Sequence, residues 1–431
     1  MTIANSNVPS PAVGVPATTD KPAMAMVTTL FFMWGFLTCL NDILIPHLKS
    51  IFDLTYGEAL LIQFFFFSAY FVFALPSGKL IEWIGYKRAM VGGLFTMGLG
   101  ALLFVPAASK PSFPLFLVAF AILAAGITLL QVSANPYVAV LGPEKTASSR
   151  LNLTQAFNSL GTTVAPWFGS ILILSGAPVA IAVIHKMSSA QLQTYRLEQA
   201  SSVKLPYLGL AIALILLGLV IAKFNLPVIA AVEPHGKVHD SIWKYPRLLL
   251  GAVGIFVYVG AEVGIGSLLV NYMSQPDIGH ISVQVAARFV SLYWGGAMIG
   301  RFIGSAVLQK VRTGTVLGIS AVVAFLLVAI SIITFGNLAM WTILLIGFFN
   351  STMFPSIFTL SIEGLGPMTG KGSAVLVCAI VGGAVLPELQ GILADHIGVH
   401  HAFVVPALCY LYIAYFAFRS NKPLHPVAAH S

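Results

Sequence analysis

The chain has 431 residues, of which 58% are hydrophobic and only 8% are charged, and its mean hydropathy is +0.92. An average soluble domain carries about 25% charged residues, so this composition excludes a soluble globular protein. A formal net charge of +8 would suggest nucleic acid as the partner of a soluble protein. In a membrane protein the basic residues instead collect on the cytoplasmic side. We therefore expect a polytopic protein surrounded by membrane lipid, with no nucleic-acid partner.

Apolar runs of about 20 residues, long enough to cross a bilayer, predict twelve transmembrane helices. The first six runs cover 25–48, 59–81, 89–107, 113–141, 152–175 and 205–227. The other six cover 247–273, 284–308, 314–335, 338–362, 373–394 and 401–419. The predicted fold is an all-α membrane protein made of two six-helix halves.

Polar stretches divide the chain into its predicted domains. Residues 1–23 lack the apolar core of a signal peptide and are predicted to be a disordered cytoplasmic tail. The two halves occupy 24–227 and 247–419, joined by a cytoplasmic linker at 228–246, and a second tail covers 420–431. The polar stretch 176–204 is predicted to be an outer loop. With the N-terminus inside, most of the 22 Lys and Arg residues lie on the cytoplasmic side, which places both termini there.

A short glycine pattern occurs at the ends of two predicted spans. Gly78, Glu82 and Gly85 close the second span, and Gly391, Asp395 and Gly398 close the eleventh with the same spacing. The recurrence favours an internal repeat, although such small residues also let helices approach each other closely.

Of the fourteen acidic residues, only Asp42, Glu262 and Glu388 fall inside predicted spans. A charged side chain at the bilayer centre costs about 2.5–3.5 kcal/mol on insertion scales, so intramembrane acids mark ion or substrate pathways by default. Asp42 interrupts an apolar run, and Glu262 lies between glycines that weaken its helix. The alternative for Asp42 is a helix-end acid that reaches interfacial water. Glu388 is near the outer end of its span, where a hydrated structural role is equally compatible.

Amide side chains form the second group of candidate functional residues. Gln131 and Asn135 share one face of the fourth span with Thr128, and Gln155 and Asn158 share one face of the fifth. Further amides in predicted spans are Asn41, Gln63, Asn271 and Asn350. An amide offers both a donor and an acceptor, the pair that a sugar hydroxyl requires, so these residues predict a polar cavity. The alternative is interhelical hydrogen bonding, typically about 0.6 kcal/mol per bond. Trp34, Tyr293 and Trp294 are candidates for stacking on the apolar face of a sugar.

The sequence offers little for other chemistries. Cys39, Cys378 and Cys409 are far apart and lack metal-ligand spacing. The stretch 366–373 departs from a P-loop, because Gly372 stands where Ser or Thr must follow the lysine. We therefore expect no enzyme activity, no metal and no cofactor, and transport driven only by a coupling ion, H⁺ or Na⁺.

Several motifs resemble a known family. Gly78-x3-Glu82-x2-Gly85-x-Lys87-Arg88 resembles the signature of the loop between the second and third helices of the major facilitator superfamily, and Gly300-Arg301-Phe-Ile-Gly304 also fits. The stretches 41–46, 61–63, 134–138, 140–144 and 150–159 resemble its fucose–galactose–glucose:proton symporter branch, and within it the bacterial glucose/galactose transporters.

This resemblance implies uptake of a small sugar by alternating access across the bacterial inner membrane. It ties Asp42 to proton coupling and implies that Gln155 and Asn158 line the sugar cavity. We add as candidate cavity residues Asn41, Gln63, Gln131, Asn135, Trp294 and Asn350, and as gating or structural residues Gly78, Glu82, Gly85, Lys87, Arg88 and Arg301.

One position departs from the fucose-permease pattern. Gln131 stands where fucose permease has Glu, and an amide cannot bind and release a proton. Glu262 is therefore our candidate second acid. The expected function is hexose import by H⁺ symport, with glucose or galactose as substrate. Na⁺ coupling, fucose-type uptake and a non-transporting sugar sensor are the alternatives, and no obligate protein partner is expected.

Overall fold

The computed structural model describes residues 18–52, 56–172, 187–227 and 241–421. Every regular element in these four ranges is a helix. The described part of the first half contains five α-helices: α1 (Lys21–Phe52), α2 (Tyr56–Ser109), α3 (Phe113–Val140), α4 (Ala147–Leu172) and α5 (Ser189–Lys223). Of the predicted tails and linker, most residues lie outside the described ranges.

The second half contains nine helices, several of them short. They are α6 (Pro246–Met273), α7 (Val283–Val307), α8 (Thr313–Ile333), α9 (Gly336–Asn350), α10 (Met353–Ile362), α11 (Thr369–Cys378), α12 (Gly382–Ile397), α13 (Val399–Ala402) and α14 (Val404–Ser420). The pairs α9–α10 and α11–α12 each continue one span across a short interruption, and α13 precedes α14 in the last span.

Twelve spans result from these helices. Nine described stretches are long and apolar enough to cross a bilayer, and one of them, Phe64–Ser109, contains two spans because the chain turns at Gly85. The other two spans are α4 and α7, which are less apolar because they carry polar residues that face the interior. The predicted fold of twelve spans in two six-helix halves is confirmed.

The turn inside α2 depends on glycine. Gly85 has φ 79° and ψ 167°, a backbone region that is open to glycine and costly for other residues. As one straight helix, residues 56–109 would be about 80 Å long, far more than the bilayer core of about 30 Å. After the turn, Lys87 Nζ donates to the carbonyl of Ala222 at 2.9 Å, which fastens the turn to the end of α5.

Gly398, after α12, adopts a similar conformation with φ 84° and ψ 152°. It nevertheless lies at the other end of the bundle from Gly85, beside the end of α8, where His400 Nε2 is 2.7 Å from the carbonyl of Ser331. The repeated glycine pattern therefore marks two similar helix–turn–helix connections and not equivalent positions in the two halves.

One predicted loop is partly helical. α5 begins at Ser189, so residues 189–204 extend the sixth span. Ser188 and Gln191 form a capping box at its start. Each side chain accepts a hydrogen bond from the backbone N–H of the other residue, and these two N–H groups would otherwise lack a partner. Arg196 Nε donates to the carbonyl of Ile51 at 3.0 Å and fixes this extension to the end of α1.

Within each half the helices pack against one another, and their buried apolar residues form one continuous core. In the first half α1 contacts α4, and α2 contacts α3 and α5; in the second, α8 contacts α14, α6 contacts α12, and α7 contacts α9. We call the end of the bundle where α1 begins and α14 ends the termini end. There Arg247 Nη2 donates to the carbonyl of Ser420 at 2.6 Å, which holds the start of α6 against the end of α14.

Candidate functional site

The two halves contact each other at the termini end through α4. Ser148 Oγ lies 2.8 Å from Thr313 Oγ1 and 2.5 Å from Thr359 Oγ1. Ser149 Oγ donates to the carbonyl of Ser305 at 2.7 Å. These small hydroxyl residues let α4 approach the helices of the second half closely. The bundle is therefore closed at the termini end.

A proline supplies a second contact between the halves. Pro136 in α3 has no N–H, so the carbonyl of Val132, four residues earlier, receives no helical hydrogen bond from it. Ser373 Oγ of α11 donates to this carbonyl at 2.9 Å. In the second half, Pro355 likewise leaves the carbonyl of Ser351 available.

The motif residues after the second span lie at the same end. Glu82 Oε1 is 3.3 Å from Lys371 Nζ, an exposed ion pair that joins the two halves. A Cβ at Gly78 would come within 2.7 Å of the Cβ of Ala374, so glycine permits this close approach. Lys87 bonds within the first half, as described above, and Arg88 is exposed.

Arg150 holds the α3–α4 connection in place. Its buried guanidinium donates to the carbonyls of Val138, Ala139, Gly142 and Pro143 and to Thr146 Oγ1, over distances of 2.5 to 3.1 Å. Arg150 thus orients the ends of the two helices that carry the predicted amide stripes.

The amides of α3 and α4 are buried and incompletely paired. Gln131 Nε2 donates to Tyr70 Oη at 2.8 Å, but Gln131 Oε1 has no partner among the described residues. The same is true of Gln155 Nε2 and of both polar atoms of Asn135, which is fully buried. Asn158 Nδ2 donates to the carbonyl of Phe31 at 2.9 Å. Buried polar atoms rarely stay unpaired in native proteins, so these four atoms are available to a polar ligand or to water.

The second half contains a polar network at mid-depth, and its amide is fully paired. Asn350 Nδ2 donates to Tyr293 Oη, and Asn350 Oδ1 accepts from Tyr410 Oη, both at 2.8 Å. Tyr258 Oη donates to Glu262 Oε1 at 2.8 Å and is 3.1 Å from the carbonyl of Asn350. Four helices, α6, α7, α9 and α14, are joined by this network.

Glu262 lies about 24 Å along α6 from Pro246, close to the middle of a bilayer-sized span. Its side chain is 13% exposed, and Arg301 Nη2 of α7 lies 3.8 Å from its Oε1. The structure therefore supplies the predicted intramembrane acid with a basic partner.

Arg301 also reaches the first half. Its Nη1 donates to Ser159 Oγ of α4, and its backbone carbonyl accepts from Asn152 Nδ2 at 2.6 Å. Its Nε lies 3.4 Å from the carbonyl of Ser351 that Pro355 leaves available. One arginine thus contacts an acid of the second half and two turns of α4.

Three predicted site residues fall outside the described side chains: those of Asn41, Asp42 and Gln63. Trp294 is 42% exposed and packs edge-on against Tyr293, with ring centroids 5.1 Å apart. It lies beside the network without a hydrogen bond of its own in the described structure, so its predicted contact with substrate stays a prediction.

Several residues that the sequence analysis did not single out belong to this site. Tyr258 is one turn before Glu262, a spacing that could have been noticed. Tyr410, Ser159 and Gln390 carried no local signal. Gln390 is buried against Gly264, and both of its amide atoms lack a partner among the described residues.

The described residues contain no rival site. They contain no group of three or more His, Cys, Asp or Glu residues that could hold a metal ion. A mainly apolar cavity of about 630 Å³ lies between α1 and α4, lined by residues such as Met24, Phe32 and Phe157. None of the candidate amides lines this cavity.

Comparisons with known proteins agree with this architecture. The family model described as Major Facilitator Superfamily matches residues 25–380. The chain belongs to the Major Facilitator Superfamily. Members of this superfamily are transporters, so the protein is a transporter and not an enzyme.

Relatives narrow the placement within the superfamily. The chain is 52% identical to a protein of Brucella abortus named glucose/galactose transporter, over 93% of this chain and 94% of the relative. It is 36% identical to the L-fucose-proton symporter of Escherichia coli, over 92% and 93% of the two chains. The crystal structure of a superfamily transporter, FucP, in the outward conformation superposes with a TM-score of 0.86 and 34% identity, covering 93% of this chain and 98% of FucP. The predicted branch, that of the fucose–galactose–glucose:proton symporters, is confirmed.

Proposed function

We propose that this protein imports a hexose, glucose or galactose, by H⁺-coupled symport with alternating access. The observation that carries the proposal is the 52% identity, over almost the whole chain, to a protein named glucose/galactose transporter. The incompletely paired amides Gln131, Asn135 and Gln155 support a sugar as substrate, because a hydroxyl needs both a donor and an acceptor.

The bacterial inner membrane is the proposed location, with both termini in the cytoplasm. The predominance of Lys and Arg on the termini end supports this orientation. With that orientation, the closure through α4, α7 and α11 is cytoplasmic, and the structure corresponds to an outward-facing state. A sugar then enters from outside and is released after the termini end opens.

H⁺ is the proposed coupling ion because the relative from Escherichia coli is named a proton symporter. Asp42 and Glu262 are the proposed proton carriers. Gln131 is an amide and cannot carry a proton, whereas Glu262 is an intramembrane acid within a polar network. We assign the sugar to Gln131, Asn135, Gln155 and Asn158.

Uptake of radiolabelled glucose and galactose in a strain without its own hexose carriers tests this proposal. We expect accumulation that increases at acidic external pH, that a protonophore abolishes and that is unchanged when Na⁺ is removed at fixed pH. Asp42→Asn is expected to lose accumulation against a gradient. Collapse of uptake without Na⁺ would decide for Na⁺ coupling, stronger competition by fucose would decide for fucose, and hexose binding without uptake would indicate a sensor.

A further inference from the structure

We propose that Arg301 is the positioning residue through which the protonation state of Glu262 controls the contact between the two halves. Because its contact on α4 is the turn that carries Gln155 and Asn158, the same residue would link the proton to the sugar. The inference rests on the proposed proton symport, and it concerns how the proton and sugar sites communicate.

Glu262 has few neighbours that could respond to its charge. Its carboxylate accepts from Tyr258 of its own helix and lies 3.8 Å from Arg301 of α7. In the described part of the chain, the other titratable groups near it are Tyr293 of α7 and Tyr410 of α14, and both hydroxyls are hydrogen-bonded to Asn350. The acid on α12 inside its span, Glu388, is exposed instead. Among the side chains that the structure describes, Arg301 is therefore the charged group that senses whether Glu262 is ionised.

Arg301 also contacts α4 at two positions along that helix. Its guanidinium donates to Ser159, and its backbone carbonyl accepts from Asn152, almost two turns earlier on α4. Ser159 Oγ in turn donates to the carbonyl of Gln155 at 3.1 Å. The contact thus reaches the backbone of the amide residue whose Nε2 has no partner among the described residues.

The charge state of Glu262 should decide whether this arrangement is favourable. An ionised Glu262 compensates the guanidinium in a water-poor interior, where an unpaired charge is costly. When Glu262 is protonated, that compensation is lost and Tyr258 alone remains bonded to the acid. Hydration then stabilises the uncompensated guanidinium, and water reaches it when α4 and α7 separate at the termini end. Protonation would therefore favour opening.

A distance measurement at the termini end tests this link without sugar. Lys145 in the first half and Lys310 in the second are exposed and flank the Ser148–Thr313 contact. Cys39, Cys378 and Cys409 are first replaced, and spin labels are attached to the variants Lys145→Cys and Lys310→Cys. Double electron–electron resonance then measures the distance between the labels in the closed and open states. We expect the parent to be mainly closed at high pH and to open partly as the pH falls.

Four variants distinguish a coupling role from simple packing. Glu262→Gln and Arg301→Gln should each lower the closed-to-open ratio by about tenfold, the effect of losing one charged hydrogen bond. The double variant should show little further loss. Arg301→Lys, which keeps the charge without the planar fork, should be intermediate and retain pH dependence. The exposed residues Glu388 and Arg312 provide matched controls, and Glu388→Gln and Arg312→Gln should behave like the parent.

Equilibrium binding of radiolabelled galactose at fixed pH completes the test. Arg301→Gln should change the affinity about tenfold in the parent and much less in the Glu262→Gln background. The proposed link would be overturned if Arg301→Gln changed the affinity equally in the two backgrounds. It would also be overturned if the double variant lost closure by the sum of the two single losses. A parent that binds no hexose would refute the proposed substrate, while the distance measurements would still decide the role of Arg301.

Discussion

The buried amides of the two halves differ in how completely they are hydrogen-bonded. In the first half, Asn135 is fully buried with no partner for either amide atom among the described residues. In the second half, Asn350 is equally buried, but its side-chain amide is hydrogen-bonded to two tyrosines. Its backbone carbonyl is hydrogen-bonded to a third tyrosine. The same side chain at similar burial can therefore lack a partner in the described structure or be part of a scaffold. The difference suggests that the first half contributes most of the sugar contacts and the second half positions a charge.

The largest expected effect comes from removing the paired amide. Asn350→Ala would leave the hydroxyls of Tyr293 and Tyr410 buried without their partner, so we expect a loss of stability of about 2 kcal/mol. Thermal unfolding of the purified protein measures this effect. Asn135→Ala is the matched control and should cost much less, since it removes no bond within the described structure. Equal losses for the two variants would contradict the comparison.

The next effect concerns binding. Asn135→Ala and Gln155→Ala should each lower hexose affinity by about tenfold, as expected when a sugar hydroxyl loses an amide partner. Calorimetric titration with glucose and galactose measures the affinity. The unfolding temperature should change little in both variants. Unchanged affinity in both would move the sugar site away from the first-half amides.

A smaller effect tests the carbonyl that a proline leaves available. Ser373→Ala removes the donor to the carbonyl of Val132, and we expect a loss of about 1 kcal/mol, near the upper range for hydrogen bonds between membrane helices. Pro136→Ala supplies a new N–H for the same carbonyl. In the double variant Ser373→Ala/Pro136→Ala, part of the stability should return. An additive result for the two changes would show that the carbonyl is not the shared partner.

The smallest effect is expected at the exposed ion pair of the motif. Glu82→Gln should change stability by less than about 1 kcal/mol, because exposed pairs between flexible side chains contribute little. Increasing salt should reduce the difference between the parent and the variant further. A loss of several kcal/mol at Glu82 would mean that the motif, and not the contacts along α4, holds the termini end closed.

Local features of the sequence were sufficient for much of this description. Hydropathy predicted the twelve spans, because each apolar run can be recognised within its own window. The cost of an intramembrane charge identified Glu262 before its surroundings were known, and the spacing of Gln131 and Asn135 placed them on one helical face. The sixth span was predicted to begin at residue 205, but α5 begins at Ser189, because residues 189–204 form a helix although they are polar.

The sequence by itself therefore determined the class of protein, the number of spans and the residue types available for sugar and proton. The tertiary structure alone decided which amides are paired, that Arg301 is the partner of Glu262, and that the two glycine patterns lie at opposite ends. The physical reason is that hydropathy and helical spacing are properties of neighbouring residues. Hydrogen-bond pairing and charge compensation depend instead on residues that are far apart in sequence, such as Tyr293 and Asn350 or Asn152 and Arg301, which only folding brings together.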